Sequence, residues 1–554
     1  MKYVFRSLLG RQPESIREFF DLSATLFADK PALMQKVGEE YENYSYKQFK
    51  NDVDALGTEL LARDLGGKSI IVMGENCYAW ALVYMTAVCG IGTVVPLDKD
   101  IEEAELCQAV EKSGAAAIFC SRSRFETASK QKGVEVFPFD QLDALTESGR
   151  EKLLGGDGRY LIREAAKDEP AVLLFNSDVT RGVLLSNANI CSSLYQMSAL
   201  VDINESDLFL SVLPLHHSYE CFGGFLAPIF HGATVAFCEG LGSLVKNMKE
   251  VHPTVLVCVP SLVEAIYKKI SATVSARKLD TQTGAAVALV GLLDKLGKKF
   301  SAPLQKKMFE EIHASLGGRL RLIISSGASV SPKSLDGLRG FGINAIQCYG
   351  LAECGGFVAI NPKSAPKSRS AGLPLPLGTV DIYDAQADGV GEIRYKGENV
   401  MLGYLNDPKL TDESLRSGWF YTEDMGYLDK NGYLFITGRK SNVIRNGAGK
   451  SIFPEELETY LGRSRFVKES VVMGVINEEK NDCDIVAVIH PNYDAFSQVY
   501  GDGYTVATVE KELASAVEYA NSVVDSHKHI ERFEIKESPF KRNSAGKIKR
   551  AIKL

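Results

Sequence analysis

The chain has no CxxC pair, no repeat of short period and no excess of basic residues. Its 11 cysteines are odd in number and scattered from Cys77 to Cys483. They read as small buried hydrophobes in a reducing compartment. Lys plus Arg is 63 and Asp plus Glu is 70, a net charge of −7. That acidic balance argues against a nucleic-acid-binding protein, which usually shows a basic patch. The opening MKYVFRSLLGRQPES lacks a sustained apolar stretch, so no signal peptide is expected. Ala79 to Leu97 is almost wholly apolar and nearly long enough to span a bilayer. Gly90-Ile91-Gly92 cuts it and Pro96 closes it, so a buried helix, a turn and a buried strand are expected rather than a transmembrane segment. A cytoplasmic location follows, with peripheral membrane contact left open for a greasy substrate.

What is present is ordinary in proportion. Of 554 residues, 45% are hydrophobic and 24% charged, with 49 Gly and 19 Pro. Collagen-like, low-complexity and mostly disordered chains are excluded, and two to four domains fit the length. Short apolar runs alternate with helical patterns: Ser15–Leu26 helix, Tyr46–Leu61 helix begun by Ser45, Ser69–Met73 strand, Cys77–Cys89 helix. Thr93–Pro96, Ile101–Lys112 and Ala116–Phe119 continue the alternation as strand, helix and strand. Further strands are expected at Ala171–Phe175, Leu208–Val212, Thr234–Phe237, Val255–Val259 and Leu322–Ile324. Such alternation predicts α/β architecture with parallel sheets and crossovers. Beyond about Pro362 the texture changes, and Thr379–Asp384, Gly391–Tyr395 and Tyr433–Thr437 predict an antiparallel β unit that finishes the large domain. Val467–Ile476, Asp484–Ile489, Val509–Val523 and Arg532–Ile535 predict a small α+β tail. The boundary is placed at Gly438-Arg439-Lys440-Ser441, giving domains 1–438 and 439–554. The Lys- and Ala-rich stretch Ser271–Ser301 reads as a solvated helical insertion.

Several loops carry chemistry. Pro539–Arg550 contains Ser544-Ala545-Gly546-Lys547, a mobile loop tipped by an ammonium. Such a cation suits charge building on a phosphate or carboxylate oxygen. Tyr349-Gly350-Leu351-Ala352-Glu353 follows a strand, where open parallel sheets bind ligands. The aromatic can stack on a base and the carboxylate can hold Mg²⁺ beside phosphates. Gly418–Asp424 ends in a carboxylate suited to ribose hydroxyls, and Gly432–Lys440 follows at once. Leu213–Glu220 adds the pair His216 and His217 after another strand. Of the two, His217 is the sharper candidate.

Over nearly its full length the chain resembles the adenylate-forming (AMP-binding) superfamily of acyl-CoA synthetases, adenylation domains and luciferases. The resemblance rests on YGLAE at 349–353, GWFYTED at 418–424, GYLFITGRKSNVI at 432–444, GAGKSIFPEELE at 447–458 and NSAGKIKR at 543–550. LPLHHSYE and the run GGRLRLIISSGAS at 317–329 look most like the long-chain fatty acyl branch. The resemblance implies that a carboxylate attacks the α-phosphate of ATP, and that a thiol, usually CoA, then takes the acyl group and releases AMP. It implies a small domain that rotates between the two steps. It assigns Lys547 to adenylation, Glu353 to Mg²⁺, and Tyr349, Gly350, Ala352, Gly327 and Ala328 to the adenine and phosphate surroundings. It further assigns Asp424 to the ribose, Arg439 to ribose and phosphate, His217 to the substrate carboxylate, Ser441 to the hinge and Gly449 to the thiol tunnel. A medium or long acyl chain is expected in an apolar tunnel near Cys221–Leu226. The acceptor is CoA or a separate acyl carrier protein. A peptide-synthetase adenylation domain fits less well, because LHHSYE stands where an Asp for the substrate amine is wanted.

The departure lies at 176–183. The family's TSGTTGxPKG phosphate loop is replaced by Asn176-Ser177-Asp178-Val179-Thr180-Arg181-Gly182-Val183, about three residues shorter and without the internal glycines. Asp178 repels a triphosphate, and β-branched Val179 resists the positive φ that a phosphate nest uses. Ala352 also replaces the usual Thr beside Glu353. Three readings stand open: a working ligase in which Ser177, Thr180 and Arg181 still contact phosphate, an enzyme impaired in ATP activation that acts on preformed acyl-adenylate or binds acyl chains or nucleotide, and a purely structural protein.

Overall fold

A computed structural model of the chain describes residues 3–176, 178–276, 309–445, 451–477, 482–542, 548 and 550. Ser177, Gly449, Lys547 and most of Ser271–Ser301 lie outside the described residues. The chain divides into two compact units: 1–380 with 395–420 and 430–434, and 381–394 with 421–429 and 435–554.

Two largely parallel sheets carry the first unit. The nine-stranded one runs, edge to edge, Leu373–Pro374, Ala359–Ile360, Asn344–Tyr349, Leu322–Ser325, Val255–Cys258, Leu208–Ser211, Thr234–Phe237, Pro31–Val37, Glu40–Ser45. Strands from Asn344–Tyr349 through Pro31–Val37 are parallel to their neighbours, and antiparallel pairs close both edges. The seven-stranded sheet runs Gly403–Tyr404, Gly182–Ser186, Pro170–Phe175, Thr93–Leu97, Ser69–Met73, Ala115–Cys120, Glu135–Pro138. Its last five strands are parallel, and the first two join antiparallel. Ile70, Ile71, Val72 and Met73 have no exposure at all. Each such side chain contributes roughly 1.5–3 kcal/mol by leaving water, which is why these runs hold the centre of a sheet.

The helices start where the caps direct. Ser15 Oγ accepts from the Glu18 N–H at 3.2 Å and opens Ile16–Leu26. Ser45 Oγ accepts from the Gln48 N–H at 3.1 Å and opens Tyr46–Ala62. Each leaves one fewer helix-end donor unpaired. The apolar stretch after Cys77 forms helix Tyr78–Thr86, a wider π-type turn Ala87–Ile91 and strand Thr93–Leu97. Among the described residues no helix is long and apolar enough to cross a membrane.

The nine-stranded sheet has a topological switch point. From Leu208–Ser211 the chain goes to Thr234–Phe237 on one side, and from adjacent Val255–Cys258 it goes to Leu322–Ser325 on the other. Where crossovers diverge in this way, the loops at the carboxyl ends part and leave a ligand crevice.

The second unit has a three-stranded sheet in which Val467–Asn477 pairs antiparallel with Asp482–Pro491, itself parallel to Arg532–Ile535. Helices Pro454–Leu461 and Val506–Ser522 pack on it through Leu457, Leu461, Leu513 and Ala520. Most of the strands Gly391–Lys396, Trp419–Leu428 and Leu434–Arg439 also belong to this unit.

Candidate functional site

Three parallel strands of the nine-stranded sheet are followed by candidate residues of the first unit. His217 follows Leu208–Ser211, Gly327-Ala328 follow Leu322–Ser325, and Tyr349–Glu353 end and follow Asn344–Tyr349. Val255–Cys258 lies between the first two. Tyr219, just after His217, donates its hydroxyl to the Ile324 carbonyl at 2.8 Å and so ties two of these loops together.

The turn after Tyr349 is tightly made. A Cβ on Gly350 would stand 1.8 Å from the Gly356 carbonyl oxygen, so only glycine fits. Gly327 takes the left-handed φ of +93°. Tyr349 is buried, whereas Gly327 and Ala328 are exposed. Ala352 and Glu353 begin a short helical turn. The Glu353 carbonyl accepts from the Met401 N–H at 2.8 Å, and its Oε1 accepts from the Tyr404 hydroxyl at 3.1 Å. Burial first, and the Glu353 carboxylate second, raise the Tyr404 phenol above its ordinary pKa, so it stays a donor. Tyr404 pairs with Val183 across Gly403–Tyr404 and Gly182–Ser186. One tyrosine thus joins the carboxylate to the base of the 176–181 loop.

That loop is a closed hairpin between Pro170–Phe175 and Gly182–Ser186. Several of its donors are used within it. Asn176 N–H donates to the Arg181 carbonyl at 3.0 Å, and Val179 N–H to the Asn176 carbonyl at 3.0 Å. Arg181 N–H donates to Asn176 Oδ1 at 2.8 Å. Thr180 Oγ1 donates to Asp178 Oδ1 at 2.8 Å and accepts from Asn176 Nδ2 at 2.9 Å. Lys112 Nζ, from helix Glu103–Ser113, donates to the Val179 carbonyl at 2.7 Å. Arg181 is exposed.

Val179 differs from the sequence expectation. It does adopt a positive φ, +54°. Its side chain is buried in the hydrophobic cluster that also holds Met73, Leu97 and Leu173. Burial of about 1.5–3 kcal/mol offsets a left-handed cost of about 1–2 kcal/mol for a branched residue.

The histidines sit in the loop from Val212 to the cap of helix Ser218–Glu220, with ring centroids 4.2 Å apart. Burial, with a smaller push from His217, lowers His216 to about 3, and burial also lowers His217. Both are neutral near pH 7. Beyond them Cys221–Leu226 forms a π-type turn with Phe222 and Phe225 fully buried. A Cβ on Gly223 would meet the Phe357 ring at 3.0 Å, and one on Gly224 the Glu220 carboxyl at 2.7 Å. Phe357 and Glu220 therefore stand against the faces that the glycines leave bare.

In the second unit, Arg439 Nε lies 2.9 Å from Asp424 Oδ1, and Asp424 N–H donates to Thr422 Oγ1 at 3.1 Å. Next to them Lys440 pairs with Glu392 at 2.6 Å and Asn442 Nδ2 donates to Glu455 at 2.6 Å. Ser441 between them is exposed. The chain on both sides of the undescribed 543–547 is anchored within this unit. Arg542 pairs with Glu469 at 2.5 Å, and Arg550 with Glu458 at 2.6 Å. Sequence reasoning missed Tyr404, Lys112 and Asn76, the last of which donates to the Leu213 carbonyl at 2.6 Å.

Long-chain-fatty-acid–CoA ligase 1 of Cavia porcellus is 28% identical, over 89% of this chain and 77% of its own length. The long-chain-fatty-acid–CoA ligase FadD15 of Mycobacterium bovis is 26% identical, over 85% and 82%. The o-succinylbenzoate CoA synthetase MenE of Bacillus subtilis, in complex with the acyl-adenylate intermediate OSB-AMP, superposes with a TM-score of 0.72 at 19% identity over 96% of both chains. ATP-bound MatB of Rhodopseudomonas palustris gives 0.72 at 20% identity, over 96% of this chain and 97% of its own. These structures share the mixed α/β fold, and the resemblance to long-chain acyl-CoA synthetases read from the motifs is borne out. Residues 20–405 match the AMP-binding enzyme family, more than half of the chain, and the protein belongs to that adenylate-forming family.

Proposed function

We propose that the protein is an AMP-forming acid–thiol ligase that joins a medium or long acyl chain to a thiol, CoA being the expected acceptor. The observation that carries this reading is the turn Tyr349–Glu353, held by Tyr404 and Met401 at the carboxyl edge of the sheet. Tyr349 and the Gly327-Ala328 turn flank the adenine. Among the described residues no three His, Cys, Asp or Glu side chains are grouped to hold a metal. Glu353 nonetheless fits Mg²⁺, which commonly takes one carboxylate together with phosphate oxygens and keeps several waters. Tyr404 bonds one carboxylate oxygen and orients the other for the cation, which when bound neutralises phosphate charge. Asp424 accepts ribose hydroxyls, Arg439 lies by ribose and phosphate, and neutral His217 meets the substrate carboxylate. The in-line attack builds negative charge on phosphate oxygens, and Lys547 stabilises it. Residues from 439 onward turn about the 438–441 hinge, so that the lysine serves one half-reaction and Gly449 the other. A panel of short, medium and long carboxylic acids with ATP and Mg²⁺, scored for pyrophosphate with and without CoA, tests this. Silence across the panel overturns it.

A second reading has its own support in the 176–181 hairpin. The N–H groups of Asn176, Val179, Thr180 and Arg181 and the Thr180 hydroxyl already bond within it, Asp178 adds a like charge, and the exposed Arg181 brings its one cation. On this reading the enzyme handles AMP and acyl-adenylate better than ATP and works as an acyl-adenylate–thiol transferase. Thiol transfer from supplied acyl-adenylate, with no pyrophosphate from ATP, distinguishes the two.

A further inference from the structure

Asn76 lies three residues past the end of strand Ser69–Met73, in the seven-stranded sheet. Its partners are the last residue of strand Leu208–Ser211 in the nine-stranded sheet and two residues of the loop that follows, at sequence separations of 135, 137 and 139. The amide nitrogen donates to the Leu213 carbonyl at 2.6 Å and to Ser211 Oγ at 3.0 Å. The amide oxygen accepts from the Leu215 N–H at 3.0 Å. Both N–H bonds and one oxygen lone pair are therefore spent on a single loop, the one that carries His216 and His217. Ser211 passes the chain on by donating to Glu220 Oε1 at 2.6 Å. Ser211 and Glu220 are fully buried or nearly so. Glu220 also abuts Gly224, where a Cβ would stand 2.7 Å from the carboxyl.

The relay therefore brackets the histidine loop at both ends. One end is held at Leu213 and Leu215, and the other at Glu220, where the π-type turn begins. Pro214 lies between the two clamped residues and has no N–H of its own to give. Within the loop itself, His217 N–H donates to the Pro214 carbonyl at 3.1 Å and Cys221 N–H to the His217 carbonyl at 2.9 Å. Linked donors of this kind polarise one another and fix a conformation more firmly than isolated bonds.

We propose that Asn76 is a positioning residue for acyl recognition: by clamping Leu213 and Leu215, and through Ser211 the buried Glu220, it sets where His217 meets the acyl carboxyl group. This rests on the ligase or transferase reading above, in either form. A chemically inert acyl-adenylate mimic, a dodecanoyl sulfamoyl adenosine, reads it without ATP activation. Calorimetric affinity for the mimic and for AMP is compared in the full-length wild type, Asn76→Ala and Asn76→Asp. Asn76→Asp keeps the shape and the acceptor but has neither donor, so it serves where Asn76→Ala fails to fold.

The expected result is at least a tenfold loss of affinity for the mimic in both variants, with AMP affinity within threefold of wild type and Asn76→Asp still cooperatively folded. Ser211→Ala, which leaves the Leu213 and Leu215 bonds in place, should give a smaller loss than Asn76→Asp. Equal affinities for the mimic in wild type and Asn76→Asp overturn the inference alone. A parallel loss of mimic and AMP binding also overturns it, because it shows a general structural role. Wild-type protein that binds neither compound overturns the proposed function and this inference together.

Discussion

Two loops of the first unit, both assigned to nucleotide by the motif resemblance, have been built in opposite ways. The 349–353 turn is fixed from outside: Gly350 makes room for the Gly356 carbonyl, and Tyr404 and Met401 hold Glu353. The 176–181 hairpin is fixed from inside, by Asn176, Asp178 and Thr180 bonding to one another and Val179 sinking into the core. The first arrangement leaves chemical groups to spare. The second spends them on itself. Whether a loop's hydrogen-bonding groups face outward or are used internally decides what it has left to offer a ligand.

The largest expected effect sharpens this contrast. Glu353→Gln should lower pyrophosphate release from ATP by roughly 10²–10³-fold, the usual scale for removing one preorganised electrostatic group. Lys547→Ala should do the same while largely sparing thiol transfer from supplied acyl-adenylate, measured in single turnovers. Equal loss of both half-reactions would show that the lysine is not specific to one step.

Next is a test of stability at the same edge. Burial raises Glu220 to about 8, Ser211 only partly opposing it, and its neighbours Tyr219, Cys221 and Cys258 are themselves pushed upward and remain neutral. The folded state therefore holds a proton that the unfolded chain releases near the ordinary carboxylate pKa. Stability from this group is full below that value, declines as pH rises, and levels off above about 8. The expected fall between pH 5 and 8 is at most a few kcal/mol by urea titration, and Glu220→Gln should flatten it. An unchanged slope in that variant removes Glu220 as the source.

The hairpin's own tests are smaller. If its donors are spent, Mg²⁺–ATP should bind no tighter than AMP, and a glycine-rich replacement of 176–181 should improve ATP binding about tenfold, or about 1.4 kcal/mol. Tight ATP binding by the unaltered chain, seen by calorimetry, would break the contrast. Smallest of all, Val179→Ala should cost about 1–2 kcal/mol of folding stability, somewhat less than a typical large-to-small core change, because the site lies at a loop. No change in the urea midpoint would mean the side chain is not an anchor.

Much of the fold was legible in the sequence because short apolar runs end at glycines, prolines and caps. Thr234–Phe237 and Arg532–Ile535 match the expected strands residue for residue. The helix expected over Cys77–Cys89 stops at Thr86, because the glycine-bounded residues that follow widen into a π-type turn. Strand Glu40–Ser45 went unread, since neither of its faces is buried and no alternation marks it. Tyr349, Glu353 and His217 were legible as motifs, but their supports were not. Tyr404 reaches Glu353 across 51 residues and Asn76 reaches Leu213 across 137, and no local pattern encodes such pairings. Val179 shows the opposite failure, a sound local rule overridden by burial.

The Val179 anchor also bears on history. Inserting glycines alone would leave its isopropyl group buried in the core cluster and its carbonyl tethered by Lys112. Regaining an open phosphate cradle would require the anchor, the tether and the loop length to change together, with each single step unrewarded. If the transferase reading holds, the hairpin acts as a ratchet, easier to specialise around than to undo.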